Sequence, residues 1–341
     1  MSDYVTAIAW TPDNSRLAAC SACGEVVLYD GKTGTPTVLQ AAQGQSLDAL
    51  SISHNGQFLA TGGQAGILSI WEIQGQSPRL LAQLEHSRLW LDCLEWNPHH
   101  AELAFGLGRY VQVWDGLTQT VATTVHFEAS SVLDLAWHPQ GEYLAVSGNQ
   151  SLKIWQRQQW DEDPQVLATG GASVAIAWAT DGSYLASGNN DCSLLVWDRG
   201  CSDPWRMSGF SGKVRQIAWS TPTPKSKTPL IAAISGEDIV TWTKSTDPDI
   251  GWTAQILDSH EDKVTAIAFQ PNSQLLASAS EDNRIYLWHK AQQIAQILKG
   301  SSQGFSSLAW NSSGTALAAG GHQGEIFVWT ESTQGKGFGS S

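Results

Sequence analysis

Cations are scarce in this chain: 19 Lys and Arg stand against 32 Asp and Glu in 341 residues, a formal charge of −13. Neutralising a run of phosphates takes a basic patch, and the sequence holds none, so nucleic acid is not an expected partner. Long apolar runs are missing as well. No stretch approaches the roughly 18 residues of a membrane-crossing helix, and Met1-Ser-Asp-Tyr4 leads directly into a β-rich run, so neither membrane insertion nor a signal peptide is expected. Cysteine is sparse, five residues without regular spacing, which suits a reducing, cytoplasmic setting. Little lysine with much glutamine suggests a bacterial source.

Groupings that carry catalysis are absent too. The nine histidines (His54, His86, His99, His100, His126, His138, His260, His289 and His322) include no pair at helical ligand spacing and none beside a Ser or Cys elbow. No catalytic residue, metal or cofactor is therefore expected. Cys20-Ser-Ala-Cys23 is the one spacing that suits a metal or thiol chemistry, but it lacks a second ligand pair in its unit and the helix start of a redox motif.

Tryptophan is what the chain has in quantity, 17 in all. Eight β-rich segments close on an aromatic in the same setting: Tyr29, Trp71, Trp114, Trp155, Trp197, Trp242, Trp288 and Trp329, spaced 41 to 46 residues apart. That interval is a repeat period. The seventh unit shows the grammar most clearly: Val264–Phe269, Leu275–Ser278 and Arg284–Trp288 are short runs rich in β-formers, separated by Pro, Asn, Asp and Ser turns, with a poorer fourth run at Gln293–Leu298. Trp10, Trp96, Trp137, Trp178, Trp219 and Trp310 close first runs, with Phe269 in that role in unit seven. Trp90, Trp160, Trp205 and Trp252 fall outside the pattern.

With Trp-Asp or a near variant at Tyr29-Asp30, Trp71-Glu72, Trp114-Asp115 and Trp197-Asp198, and decayed Gly-His openings at Ser259-His260, Gly209-Phe210, Gly170-Gly171 and Glu85-His86, the chain resembles the WD-repeat β-propeller family over residues 4–330. The resemblance implies an all-β ring of four-stranded blades around a channel. Eight units predict eight blades, at about 4–42, 46–85, 90–126, 131–169, 172–208, 213–258, 263–298 and 304–330. Residues 331–341, rich in Gly and Ser, read as a flexible tail, and three residues before the first run are too few to supply a closing strand. The last blade is thus expected to be three-stranded.

By resemblance, His260, Ser278, Asp282 and Trp288 match the family's buried hydrogen-bonded network; unit five keeps Ser187, Asp191 and Trp197 but has glycines where the histidine would be. The resemblance also implies protein partners docking on a rim built from the loops before first strands and the turns between second and third strands, on a chain that is monomeric by itself. Mapped onto this sequence, that rim takes Tyr4, Asp48, Gln64, Trp90, Asp92, Leu107, Leu133, Asp134, Asn190, Lys213, Arg215, Lys263, Glu281 and His322. In Arg88-Leu89-Trp90 the indole either anchors a partner or covers a gap between blades. Asp48, Asp92 and Asp134 against Lys213, Arg215 and Lys263 make the ring electrically two-sided, or are ordinary solvated charge. Long loops at Trp160–Pro164, Thr221–Pro229 and Asp247–Asp249 lie on the opposite rim. The competing functions are a protein-interaction scaffold, a subunit or assembly factor of a larger complex, and a metal- or thiol-active propeller using Cys20 and Cys23.

Overall fold

The computed structural model describes every residue except 76, 88, 129, 224–227, 246, 248–249, 333–336 and 341. Arg88, residues 224–227 of the Thr221–Pro229 insertion, and Pro248 with Asp249 therefore lie outside the described residues. Those described form 31 strands and no helix.

Blade seven is built from Val264–Phe269, Leu276–Ser280, Arg284–His289 and Gln293–Lys299, each antiparallel to the next. Its second strand is wholly buried, whereas its fourth is mostly exposed. The gradient follows from the ring: inner strands are covered on both faces by neighbouring blades, and outer strands splay apart into solvent. Second strands accordingly carry small residues at no exposure, such as Ala18, Ala19, Ala60, Ala104, Ala145, Ala186, Ala277, Ala318 and Ala319. The larger Trp114, Trp197, Trp288 and Trp329, all nearly buried, fill the wider space at the third strands.

Seven sheets account for eight blades because blades four and five share a strand. Gln165–Trp178 pairs through its first part with Asn149–Gln156 and through its last part with Tyr184–Asn189. Elsewhere adjacent blades are joined by single backbone bonds, such as Leu91 N–H to Gly63 O and Val264 N–H to Gly236 O, and by side chains. First-strand indoles donate to the preceding blade's carbonyl in five places: Trp10 to Ala309, Trp137 to Glu95, Trp178 to Ala136, Trp219 to Ala177 and Trp310 to Ala268, at 3.1–3.2 Å. The first of these closes the ring.

The last blade departs from expectation: it has a fourth strand, Phe338–Ser340, paired with Ile326–Glu331. An outer strand is recruited through backbone hydrogen bonds, which glycine and serine supply as well as any residue. Phe338 adds the apolar anchor, its ring 5.2 Å from that of Trp310. Gln296 of blade seven then clamps the same residue, donating to its carbonyl at 2.6 Å and accepting its N–H at 2.8 Å.

Candidate docking rim and channel

In blade seven the four network residues meet. His260 Nδ1 lies 2.8 Å from Asp282 Oδ2, His260 Nε2 lies 2.8 Å from Ser278 Oγ, and Trp288 Nε1 donates to that Oγ at 2.9 Å. Burial holds the His260 pKa below its usual value, against the opposing pull of Asp282, so the ring is neutral. Assigned from these partners, protons run from indole to hydroxyl, from hydroxyl to Nε2, and from Nδ1 to the carboxylate. Asp282 also accepts the backbone N–H of Glu261 and of Arg284, which ties the second-to-third-strand turn to the loop that opens the blade. Unit five forms no such network. There Ser187 bonds Ser173 and Asn189, Asp191 pairs with Arg206, and the Trp197 indole donates to the Ser202 carbonyl.

A second set of polar groups staples first strands together. Thr6 Oγ1 donates to Leu47 O, Thr265 Oγ1 to Phe305 O and Ser306 Oγ to Val5 O, at 2.5, 2.7 and 2.6 Å. In other blades the side chain accepts: Glu95 takes the Trp137 N–H at 2.7 Å, Asp134 the Ile176 N–H at 2.8 Å and Gln216 the Ile267 N–H at 3.0 Å. Glu95 and Asp134 are carboxyls in poorly solvated surroundings, and burial pushes their pKa values up to about 8 and about 7. Each partner lies on the adjacent blade, about one repeat period along the chain or, for Ser306 and Val5, across the closure of the ring. Such a latch is therefore invisible until the ring is known, beyond the bare signal of a polar residue inside an apolar first strand.

This corrects two rim expectations. Asp134 sits one step down the strand from Leu133, with its carboxylate committed to blade five. Leu107 is fully buried, because its hairpin closes through the pair Leu107↔Tyr110 and is one residue shorter than the turn of blade seven. The turn position assigned to Leu107 belongs to Gly108.

Of the remaining residues mapped to the rim, Tyr4, Lys213, Arg215 and Lys263 line one cavity. Gln64, Asp92, Asn190, Lys213, Arg215 and Lys263 are exposed. Asp48 is half-buried and accepts the Ser46 hydroxyl, while the half-buried Tyr4 and His322 rings lie 4.8 Å apart. Glu281 pairs with Lys263 at 3.5 Å. Trp90 is 63% exposed, and Leu133 on the next blade 36%. The other three unpatterned indoles have intramolecular roles: Trp160 meets Trp137 edge-on, Trp252 packs on Tyr184 and Trp219, and Trp205 donates to Asp198.

The Cys20 thiol is buried, its pKa pushed up to about 12, and it contacts Thr6 Oγ1. Cys23 contacts Ser2, Ser21 and Glu25. Both thiols are free, and among the described residues no set of three His, Cys, Asp or Glu side chains is arranged to hold a metal. A neutral buried thiol is a poor nucleophile and ligand. His99 and His100 both take backbone contacts to Asn97, and the His99 ring bonds the Pro139 carbonyl.

Comparison with known proteins agrees with this architecture. The family described as "WD domain, G-beta repeat" matches residues 2–30, 37–72, 118–156, 165–198, 251–289 and 292–330. Over 104 residues, 29% of this chain, the sequence is 27% identical to protein transport protein sec13 of Emericella nidulans, and over 93 residues, 23% of this chain, it is 36% identical to the F-box-like/WD repeat-containing protein TBL1X of Mus musculus. A 66 kDa stress protein of Physarum polycephalum is 30% identical over 88 residues, 24% of this chain. The matched stretches span 33%, 18% and 14% of those proteins, respectively. Proteins with these repeats generally act as interaction scaffolds or subunits of complexes. With six matches covering more than half of its length and a ring of four-stranded blades, the chain belongs to the WD-repeat family.

Proposed function

We propose that this chain is a non-catalytic, cytoplasmic scaffold, monomeric by itself, that docks partner proteins on the rim formed by the loops before first strands, with Trp90 as the anchor. The presentation of Trp90 supports this reading. Leu91 beside it is fully buried and Leu89 packs on the same core, so the exposed indole stands on a fixed base. Covering the exposed part removes on the order of 150 Å² of mostly apolar surface, roughly 3–4 kcal/mol before ordering costs. Leu133 extends the apolar surface to the next blade, and Asp92 supplies a polar border.

Trp90→Ala is expected to weaken binding of the principal partner by about 2 kcal/mol and to leave thermal stability nearly unchanged. A lowered melting temperature with binding retained would show that the indole is a packing residue. A partner bound equally well by Trp90→Ala and Leu133→Asp would place docking elsewhere, as a subunit with another face occupied would require.

A further inference from the structure

One side of the channel mouth holds a cavity of ≈ 570 Å³ whose wall includes Lys213, Arg215 and Lys263. The strand starts put them there: Val214 and Val264 are buried, so the residues beside them are held at the opening. Among the described residues no carboxylate lies within ion-pair distance of Lys213 or Arg215, and Lys263 has only the 3.5 Å contact to Glu281. Three clustered cations with so little compensation are unexpected in a chain of net charge −13. The hydroxyls of Thr6, Thr265 and Ser306 in the same wall are committed to carbonyls of neighbouring blades. What the cavity chiefly offers a ligand is positive charge, with Ile8 and Leu308 also in its lining.

The opposite side of the mouth carries the other sign. Blades two and three face blades six and seven across an eight-membered ring, and they bring Asp48 and Asp92. A long polyanion crossing the mouth meets these carboxylates, whereas a short acidic run confined to blades six and seven does not.

We propose that the partner inserts an acidic peptide segment, carboxylate-rich and a few residues long, into this cavity, where it pairs with Lys213, Arg215 and Lys263. The proposal rests on the reading of this rim as the docking face and names what that face recognises. Burial in a partly enclosed cavity makes such pairs stronger than free surface pairs, and their contribution declines with salt.

Fluorescence anisotropy with a fluorescein-labelled hexaglutamate peptide at low ionic strength tests it. Wild type is expected to bind, with affinity declining as salt is added, and the double reversal Lys213→Glu with Arg215→Glu is expected to weaken binding about tenfold or more. Reversing two exposed cations away from the channel, Lys32→Glu with Lys290→Glu, controls for net charge and is expected to change binding far less; equal losses in the two double variants would overturn the proposal. So would absence of peptide binding by wild type, or tighter binding of a hexathymidylate, which would reassign the cavity to nucleic acid. Full displacement by inorganic phosphate at a concentration of the same order as the peptide would reassign it to small anions. Far-UV circular dichroism and the melting temperature confirm that each variant is folded; if the double reversal unfolds, Lys213→Gln with Arg215→Gln answers the same question. A partner whose binding depends on Trp90 but not on these cations sinks the acidic-segment inference alone, while indifference to Trp90→Ala with peptide binding intact sinks the anchor alone.

Discussion

Blades three and seven hold the same frame by different means. In blade seven, Ser278 in the second strand, His260 in the opening loop and Asp282 in the turn form a polar chain that ends on Trp288. In blade three the position of Ser278 is taken by Phe105, fully buried, and the turn is too short to offer an aspartate. His86 still stands before the blade, but its ring lies 5.9 Å from Phe105 and its buried Nε2 has no hydrogen-bond partner among the described residues. Phe58, Trp96 and Trp114 pack around the same core as Phe105. One blade fixes its turn by directed bonds and the other by volume, and the family match includes blade seven but omits residues 73–117, which hold most of blade three. The repeat constrains the shape of the slot more tightly than the chemistry that fills it.

The largest effect expected from this contrast is Phe105→Ala, which removes a fully buried ring from a site its neighbours cannot close, at a cost of about 3–5 kcal/mol in denaturant unfolding. A loss below about 1 kcal/mol would mean that blade three is not held by packing. His260→Ala comes next, at about 1–3 kcal/mol, because Ser278, Trp288 and Asp282 lose partners in a buried setting. It should leave partner binding by the folded protein intact; unchanged stability with lost binding would make the histidine a recognition residue. The third test reads a slope rather than a single loss: a pH dependence in blade three. Glu95 ionises near its ordinary value of 4.5 in the unfolded chain but only at about 8 in the folded one. Its protonated form is thus favoured by folding, and its contribution is full below about 4.5 and declines as pH rises towards about 8. Glu95→Gln, which keeps an acceptor for the Trp137 N–H, should flatten that decline and change little at acid pH; an identical slope in wild type and variant would place the dependence elsewhere.

The blades were legible because an aromatic closing each third strand recurs at a nearly constant interval, and a period needs no side-chain detail. The blade-seven network was legible because all four of its residues survive in one unit. Leu107 was misplaced by a difference of one residue in hairpin length, which moves a side chain from the turn into the core. The fourth strand at Phe338–Ser340 was hidden because β-propensity reports side-chain packing, whereas an edge strand is held by backbone pairing and a single anchored ring. The first-strand latches left only the bare signal of a polar residue in an apolar strand: Glu95 and Gln216 resemble any other until the neighbouring blade is set beside them.

The strand Gln165–Trp178, shared by blades four and five, makes the ring mechanically uneven. Across that junction a deformation must stretch continuous covalent backbone with ladder bonds on both flanks. At the seam between blades eight and one, strands from opposite ends of the described chain are held by side-chain bonds such as Ser306 to Val5 and Trp10 to Ala309. The molecule is a split washer with one welded joint almost diametrically opposite its slit. A load that widens the channel mouth parts the slit first, while the arc through blades four and five carries the strain without parting.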